Sequence, residues 1–144
     1  MAAPLDPMTI YDRGLAGLDS LVGVERLIFM LQDFDNLMEM EGWDHFFLYE
    51  HHFVWYAEMK EWLRTIRETA SLAVLGDYEG HVISKGFEFS PTGIDGLLRS
   101  KDEPYYRNCP NWCDQYCAFR ASRWANASAY VESQGLMLQT AELL

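Results

Sequence analysis

The sequence predicts an all-α, single-domain helical bundle, and three observations carry that prediction. Val24, Leu27, Ile28, Leu31, Phe34 and Met38 recur at the i, i+3, i+4, i+7 spacing of an amphipathic helix. Trp55, Met59, Trp62, Leu63 and Ile66 repeat the pattern further along. The 144 residues are 49% apolar and 15% aromatic, enough for one sizeable core without metals or disulfides.

Residues 1–8, with Pro4, Asp6 and Pro7, read as a disordered lead-in, and residues 9–144 as the domain. A first helix is expected over Thr9–Leu18. A longer one should run from Leu21 to Gly42, capped by Asp19 or Ser20 and ended by Gly42 in a left-handed conformation. Trp43, Phe46 and Phe47 then form a short aromatic segment, and a third helix covers Phe53–Thr69, with Lys60, Arg64 and Arg67 toward its end. Residues 77–89 admit two readings. Asp77 can cap a helix, or Val82, Phe87 and Phe89 around Ser84, Lys85 and Gly86 can form a short hairpin near residues 81–89; the helix is preferred. Pro91, Gly93 and Gly96 signal a loop anchored by Ile94, Leu97 and Leu98, and Asp102–Pro110 an irregular link. Trp112–Arg123 and Ala125–Gln139 read as helices, with Gly135 as a break.

Charge is distributed unevenly. Residues 1–72 carry thirteen acids against five Lys or Arg, and residues 73–144 nine against six, within a formal net charge of −11. Between Leu27 and Met59 lie Asp33, Asp35, Glu39, Glu41, Asp44, Glu50 and Glu58 and no Lys or Arg. This excludes general nucleic-acid binding, which needs Lys and Arg to neutralise phosphates, and disfavours an anionic membrane. No apolar run reaches the roughly 18 residues of a membrane span, and no basic segment followed by an apolar run marks a leader. A cytoplasmic protein is the expectation. Solubility alone also explains an acidic surface.

Chemistry is weakly signalled. Cys109, Cys113 and Cys117 are spaced C-x3-C-x3-C, which puts Cys113 and Cys117 one helical turn apart. Core thiols are the main reading, with a shared metal or a redox use as alternatives. His45, His51, His52 and His81 fall into neither H-E-x-x-H nor Glu-x-x-His patterns, so helix-boundary roles precede ligand or acid–base roles. G-x-S-x-G and phosphate-cradling glycine motifs are absent. Asp33 and Asp35, two residues apart on a helix, point in different directions and make a poor acid–base pair. Trp43, Trp55, Trp62, Trp112 and Trp124 fit core positions, whereas Tyr105 and Tyr106 suit exposed contacts.

The segment Glu41-Gly42-Trp43-Asp44-His45-Phe46-Phe47 at the end of the long helix resembles the Gly-Gly-aromatic-Asp-Gln-aromatic-Phe signature of the DNA-mimic-protein family, small acidic bacterial proteins. Glu41 stands where that family has its first Gly, and His45 where it has Gln. The likeness extends loosely from Leu21 to Val131. It implies an all-helical fold and a dimer whose carboxylates imitate DNA phosphates to occupy a DNA-binding regulator. Phosphates lie about 7 Å apart along a strand, and helix turns rise roughly 5.4 Å. By charge position the candidates for partner binding are Asp33, Asp35, Glu39, Glu41, Glu50 and Glu58.

The sequence therefore reads as a non-enzymatic acidic module without cofactor or metal, meeting a basic or DNA-binding protein. A generic helical interaction protein, such as a toxin inhibitor or assembly subunit using aromatic contacts, is one alternative. A metal- or thiol-dependent enzyme using Cys113, Cys117 and His45 or His81 is another.

Overall fold

The computed structural model describes residues 4–100 and 111–139, which hold eight α-helices and one two-stranded sheet. Pro4–Leu5 (β1) pairs in parallel with Met137–Leu138 (β2), Pro4 opposite Met137 and Leu5 opposite Leu138. Asp6 then opens α1 (Pro7–Ala16): its carboxylate accepts from the Met8 N–H at 3.1 Å and the Thr9 hydroxyl at 2.8 Å, and Pro7 sits where no helical N–H is lost. Residues 4–8, expected in the lead-in, therefore belong to the folded body.

After a 3₁₀ turn at Leu18–Ser20, α2 (Val24–Met40) starts from Gly23 at φ 55°. Asp19 and Ser20 lie in the turn and do not cap it; the Glu25 carboxylate accepts from the Val22 N–H at 3.1 Å instead. The chain leaves α2 through Gly42 at φ 90°, as the sequence predicts, into α3 (Trp43–Phe46). α4 (Glu50–Thr65) begins and ends earlier than its apolar spacing suggests, because Arg67 at φ 61° turns the chain into α5 (Thr69–Ser84). α5 runs unbroken through Asp77–Ser84, which realises the helical alternative and not the hairpin.

The expected loop at Pro91 is instead a helix, α6 (Pro91–Ser100). Pro91 occupies its first position, and the Ser90 hydroxyl accepts from the Gly93 N–H at 3.0 Å, so loop-forming residues here build a helix start. A Cβ on Gly93 would stand 1.9 Å from the Glu88 carbonyl oxygen, which explains glycine there. Asn111 caps α7 (Trp112–Cys117) by accepting from the Asp114 N–H at 3.0 Å, and α8 (Arg120–Ser133) follows, where the sequence suggested one helix through Arg123.

α2 is the central element, packing against α1, α3, α4 and α8. Leu27, Ile28, Met30, Leu31 and Phe34 are fully buried on it. Phe34 lies at the middle of an aromatic core, its ring centroid 4.5 Å from Phe46, 4.9 Å from Tyr116 and 5.7 Å from Trp43. On the other flank α1 approaches closely because Gly14 leaves room for the Phe29 ring; a Cβ would meet it at 2.1 Å.

A buried ion pair joins α2 to α8. Arg123 has no exposed surface and Asp35 is 3% exposed. The Arg123 guanidinium donates to Asp35 Oδ1 at 3.1 Å, to the Tyr116 carbonyl at 2.5 Å and to the Ser71 hydroxyl at 3.1 Å, and it stacks 3.6 Å from the Tyr116 ring centroid. The Trp124 indole N–H donates to Asp35 Oδ2 at 3.0 Å. Ser71, Ser122 and Asn126 in turn donate to the buried Glu68 carboxylate. Removing one partner of such a pair strands the other charge. Arg123→Met should lower the unfolding free energy by about 3–5 kcal/mol, measured by urea denaturation, and a loss below about 1 kcal/mol would assign the pair the weight of a surface bridge.

Candidate functional site

The six acids expected to form one binding surface divide into different environments. Asp35 is the core ion-pair partner just described, with Arg120 also 3.6 Å away, so it presents no charge outward. Asp33 is 8% exposed. Both are buried where a partner-binding acidic surface was expected, because α2 is packed on several sides and has little free face. Glu39 is exposed but bonded to Arg120. Glu58 accepts from Arg26 Nε and Nη2, each at 2.8 Å, and from the Trp62 indole N–H at 3.1 Å, and these bonds pull its carboxyl below the usual range. Glu41 is exposed beside His45 at 3.2 Å, and Glu50 is exposed at the start of α4, where the helix dipole favours an anion. Among the six, the exposed carboxylates held by neither an Arg nor the core are therefore Glu41, which lies beside His45, and Glu50.

The thiol alternative is partly visible. Cys113 and Cys117 have Sγ atoms 3.9 Å apart on α7, and burial, with Cys117 beside it, pushes the Cys113 thiol up to about 11. A thiol held so firmly protonated is a poor nucleophile. Among the described residues no three His, Cys, Asp or Glu side chains converge as a metal site. Cys109, Tyr105 and Tyr106 lie outside the described residues. Trp43, Trp55, Trp112 and Trp124 are buried and Trp62 is partly buried, in line with core roles.

The structure brings Asp33 together with histidines that the sequence left apart. A cleft of about 560 Å³ lies between α1, α2 and α4. Phe29, Leu37 and Trp55 wall it, and Tyr11, Asp33, Asn36, His51 and His52 supply its polar groups. This size and mixture is that of a binding cleft. The Tyr11 hydroxyl donates to Asp33 Oδ1 at 3.1 Å. His52 Nδ1 lies 2.6 Å from the Phe46 carbonyl oxygen, which can only accept; the ring therefore carries its proton on Nδ1 and leaves Nε2 a lone-pair acceptor. His52 also stacks on Phe46, centroids 4.5 Å apart, with His51 4.2 Å away.

Burial raises the Asp33 carboxyl above its ordinary 3.8, opposed by the Tyr11 bond and by His52 and His51. Burial lowers His52 below its ordinary 6.5, opposed by its bond to Phe46. Two groups displaced toward one another inside a cleft mark a functional-site candidate. The local signal in sequence was the apolar spacing of α2, which argued for packing and not for a cleft. Leu15 on α1, Met40 on α2 and Val54 on α4 also border the cleft and are 60%, 81% and 79% exposed.

No protein-family model, curated protein or solved structure matches this chain. Among the described residues no helix is long and apolar enough to cross a membrane.

The shifted carboxyl has a consequence for stability. A group whose folded value is raised contributes stability below its unfolded value of 3.8, and that contribution is lost as pH rises through the folded value. Asp33→Asn removes the titration while keeping an acceptor for Tyr11. The variant should be more stable than the wild type near pH 7, with the gain shrinking to nothing as pH approaches 3.8. His52, lowered, adds the opposite slope to both proteins: its stability is present above 6.5 and lost as pH falls through the folded value. Urea midpoints of the two proteins across this range test the difference, and a variant equally stable or weaker near pH 7 would contradict it.

Proposed function

We propose that the protein is a non-enzymatic binding module whose cleft between α1, α2 and α4 docks a basic, partly apolar segment of a partner protein. The observation that carries this reading is the exposure of Leu15, Met40 and Val54, on three different helices, around one cleft that holds the Asp33 carboxyl. Apolar side chains gathered at one opening favour contact with another macromolecule, and a groove between helices suits an amphipathic segment. Charge selects the kind of segment. The chain carries a net −11, and Glu41 follows Met40 directly at the end of α2, so a basic partner is drawn in where a second copy of this acidic chain is repelled.

Imitation of DNA phosphates is the narrower form of this proposal, in which the partner is a DNA-binding regulator. The resemblance at Glu41–Phe47 and the acidic balance support it. It draws less on the six acids than their sequence positions suggested, because Asp33 and Asp35 are buried and Glu39 and Glu58 are held by Arg120 and Arg26. In the segment itself Trp43, Phe46 and Phe47 are core residues and Gly42 is the helix stop. The motif thus builds the junction between α2 and α3, a structural role that bears on fold more directly than on function.

Affinity capture tests the docking. Wild-type protein should retain a basic partner, less so at high salt because rim charges are screened. Val54→Asp and Met40→Asp, which put a charge where an apolar contact is expected, should each weaken retention by about tenfold or more. Equal retention by these variants and the wild type would move the binding surface away from the cleft.

A further inference from the structure

The cleft contains two open hydrogen-bond acceptors and little to satisfy them from within the chain. Among the described residues only Tyr11 hydrogen-bonds to Asp33, and it uses Oδ1, leaving Oδ2 without a donor. His52 spends its single ring proton on the Phe46 carbonyl, leaving Nε2 without one. Both residues are more than nine-tenths buried, at 8% and 5% exposure, and both line the same cleft. Neither atom is among the fully buried, unpartnered ones of the described residues, so both open onto the cleft, where the donors of a ligand can reach them. Phe29 and Trp55, their rings in edge contact with centroids 6.4 Å apart, form an apolar wall beside them against which an aliphatic stem can lie.

We propose that Asp33 and His52 together form the receptor for one cationic side chain, a Lys or Arg, which the docked segment lays against the apolar wall of Phe29 and Trp55. This rests on the docking reading above and names the residue type at its centre. The ligand supplies what the cleft lacks: several N–H donors and a positive charge. Neutral His52 accepts one donor, the Asp33 carboxylate accepts another with charge assistance, and Tyr11 holds the carboxylate in place. Burial disfavours the charged Asp33 in the free protein, and a cation entering the cleft removes that penalty. Arginines answer the charges of Asp35 and Glu58, yet among the described residues Asp33 has no Lys or Arg.

The test uses small probes on the full chain: n-butylguanidinium and n-butylammonium against the uncharged, similarly shaped n-butylurea. Binding is read from the indole resonance of Trp55 in ¹⁵N-labelled protein, with Trp112 and Trp124 as internal controls. The cations should give saturable shifts at Trp55, and n-butylurea should bind at least about tenfold more weakly, the worth of one charge-assisted hydrogen bond at about 1.4 kcal/mol. Asp33→Asn should reduce cation affinity by a similar factor while keeping the Tyr11 bond. Equal shifts from the urea and the guanidinium overturn the anchor, and this comparison needs only wild-type protein. Unchanged cation affinity in Asp33→Asn overturns it as well. Either result stands apart from the fate of docking, which the retention of a partner by Val54→Asp and Met40→Asp judges by itself.

Discussion

The fold depends on one buried charge pair. Arg123 and Asp35 lie 88 residues apart in sequence and meet with almost no exposed surface. Around them the guanidinium reaches α5 through Ser71 and α7 through the Tyr116 carbonyl, so a single side chain holds four helices in register. Apolar packing alone is tolerant of small slips, whereas a desolvated guanidinium is costly unless its donors are met at fixed places, as Nη1 and Nη2 are here while Nε has no hydrogen-bond partner among the described residues. The pair consequently specifies the arrangement more than it adds to stability, since a hydrophobic replacement of both partners can be neutral or favourable. Its acidic member is drawn from the stretch of α2 that gives this chain its unusual charge.

The sequence made the local features readable and hid those that depend on distant partners. The α2 stripe, the Gly42 stop and the burial of most tryptophans follow from helical periodicity and from the conformational freedom of glycine, both written within a few residues. Nothing near Asp35 in the sequence announces that its counter-ion comes from α8. α6 was hidden for a different reason. Its Pro91, Gly93 and Gly96 are loop formers by propensity, and the helix exists because Ser90 caps it, Pro91 fits its first position, and Ile94 and Leu97 bury against the core. Tertiary burial outweighs the cost of two glycines. β1 and β2 are too short to show alternation, and their pairing links the two ends of the described chain.

The candidate site was legible only in part. Asp33 was singled out for its charge, and the histidines for their chemistry, but their meeting needs α1 laid against α2 and α4 beside both. Gly14 permits the first of these contacts by yielding its side-chain volume to Phe29. The cleft is thus a product of how closely two helices approach, a quantity that no local pattern encodes. The rim residues Leu15, Met40 and Val54 carry a similar lesson: as isolated apolar letters they look like core, and only their exposure in the folded chain distinguishes them.

Asp33 and Asp35 show how one helix serves two purposes. Two residues along an α-helix rotate the side chain by roughly 200°, so the neighbours face opposite sides of α2. Asp35 turns toward α8 and finds Arg123, Arg120 and the Trp124 indole; its charge is consumed inside the fold. Asp33 turns toward α1 and α4 and finds a tyrosine hydroxyl, which orients the carboxylate without neutralising it, beside the imidazole of His52. A carboxyl serving only stability would gain from becoming neutral in that place, because burial already pushes it that way. The cost of keeping it acidic is borne by the free protein, and in the proposed docking a cation would relieve it, which would turn an unfavourable feature of the fold into selectivity for a positively charged partner.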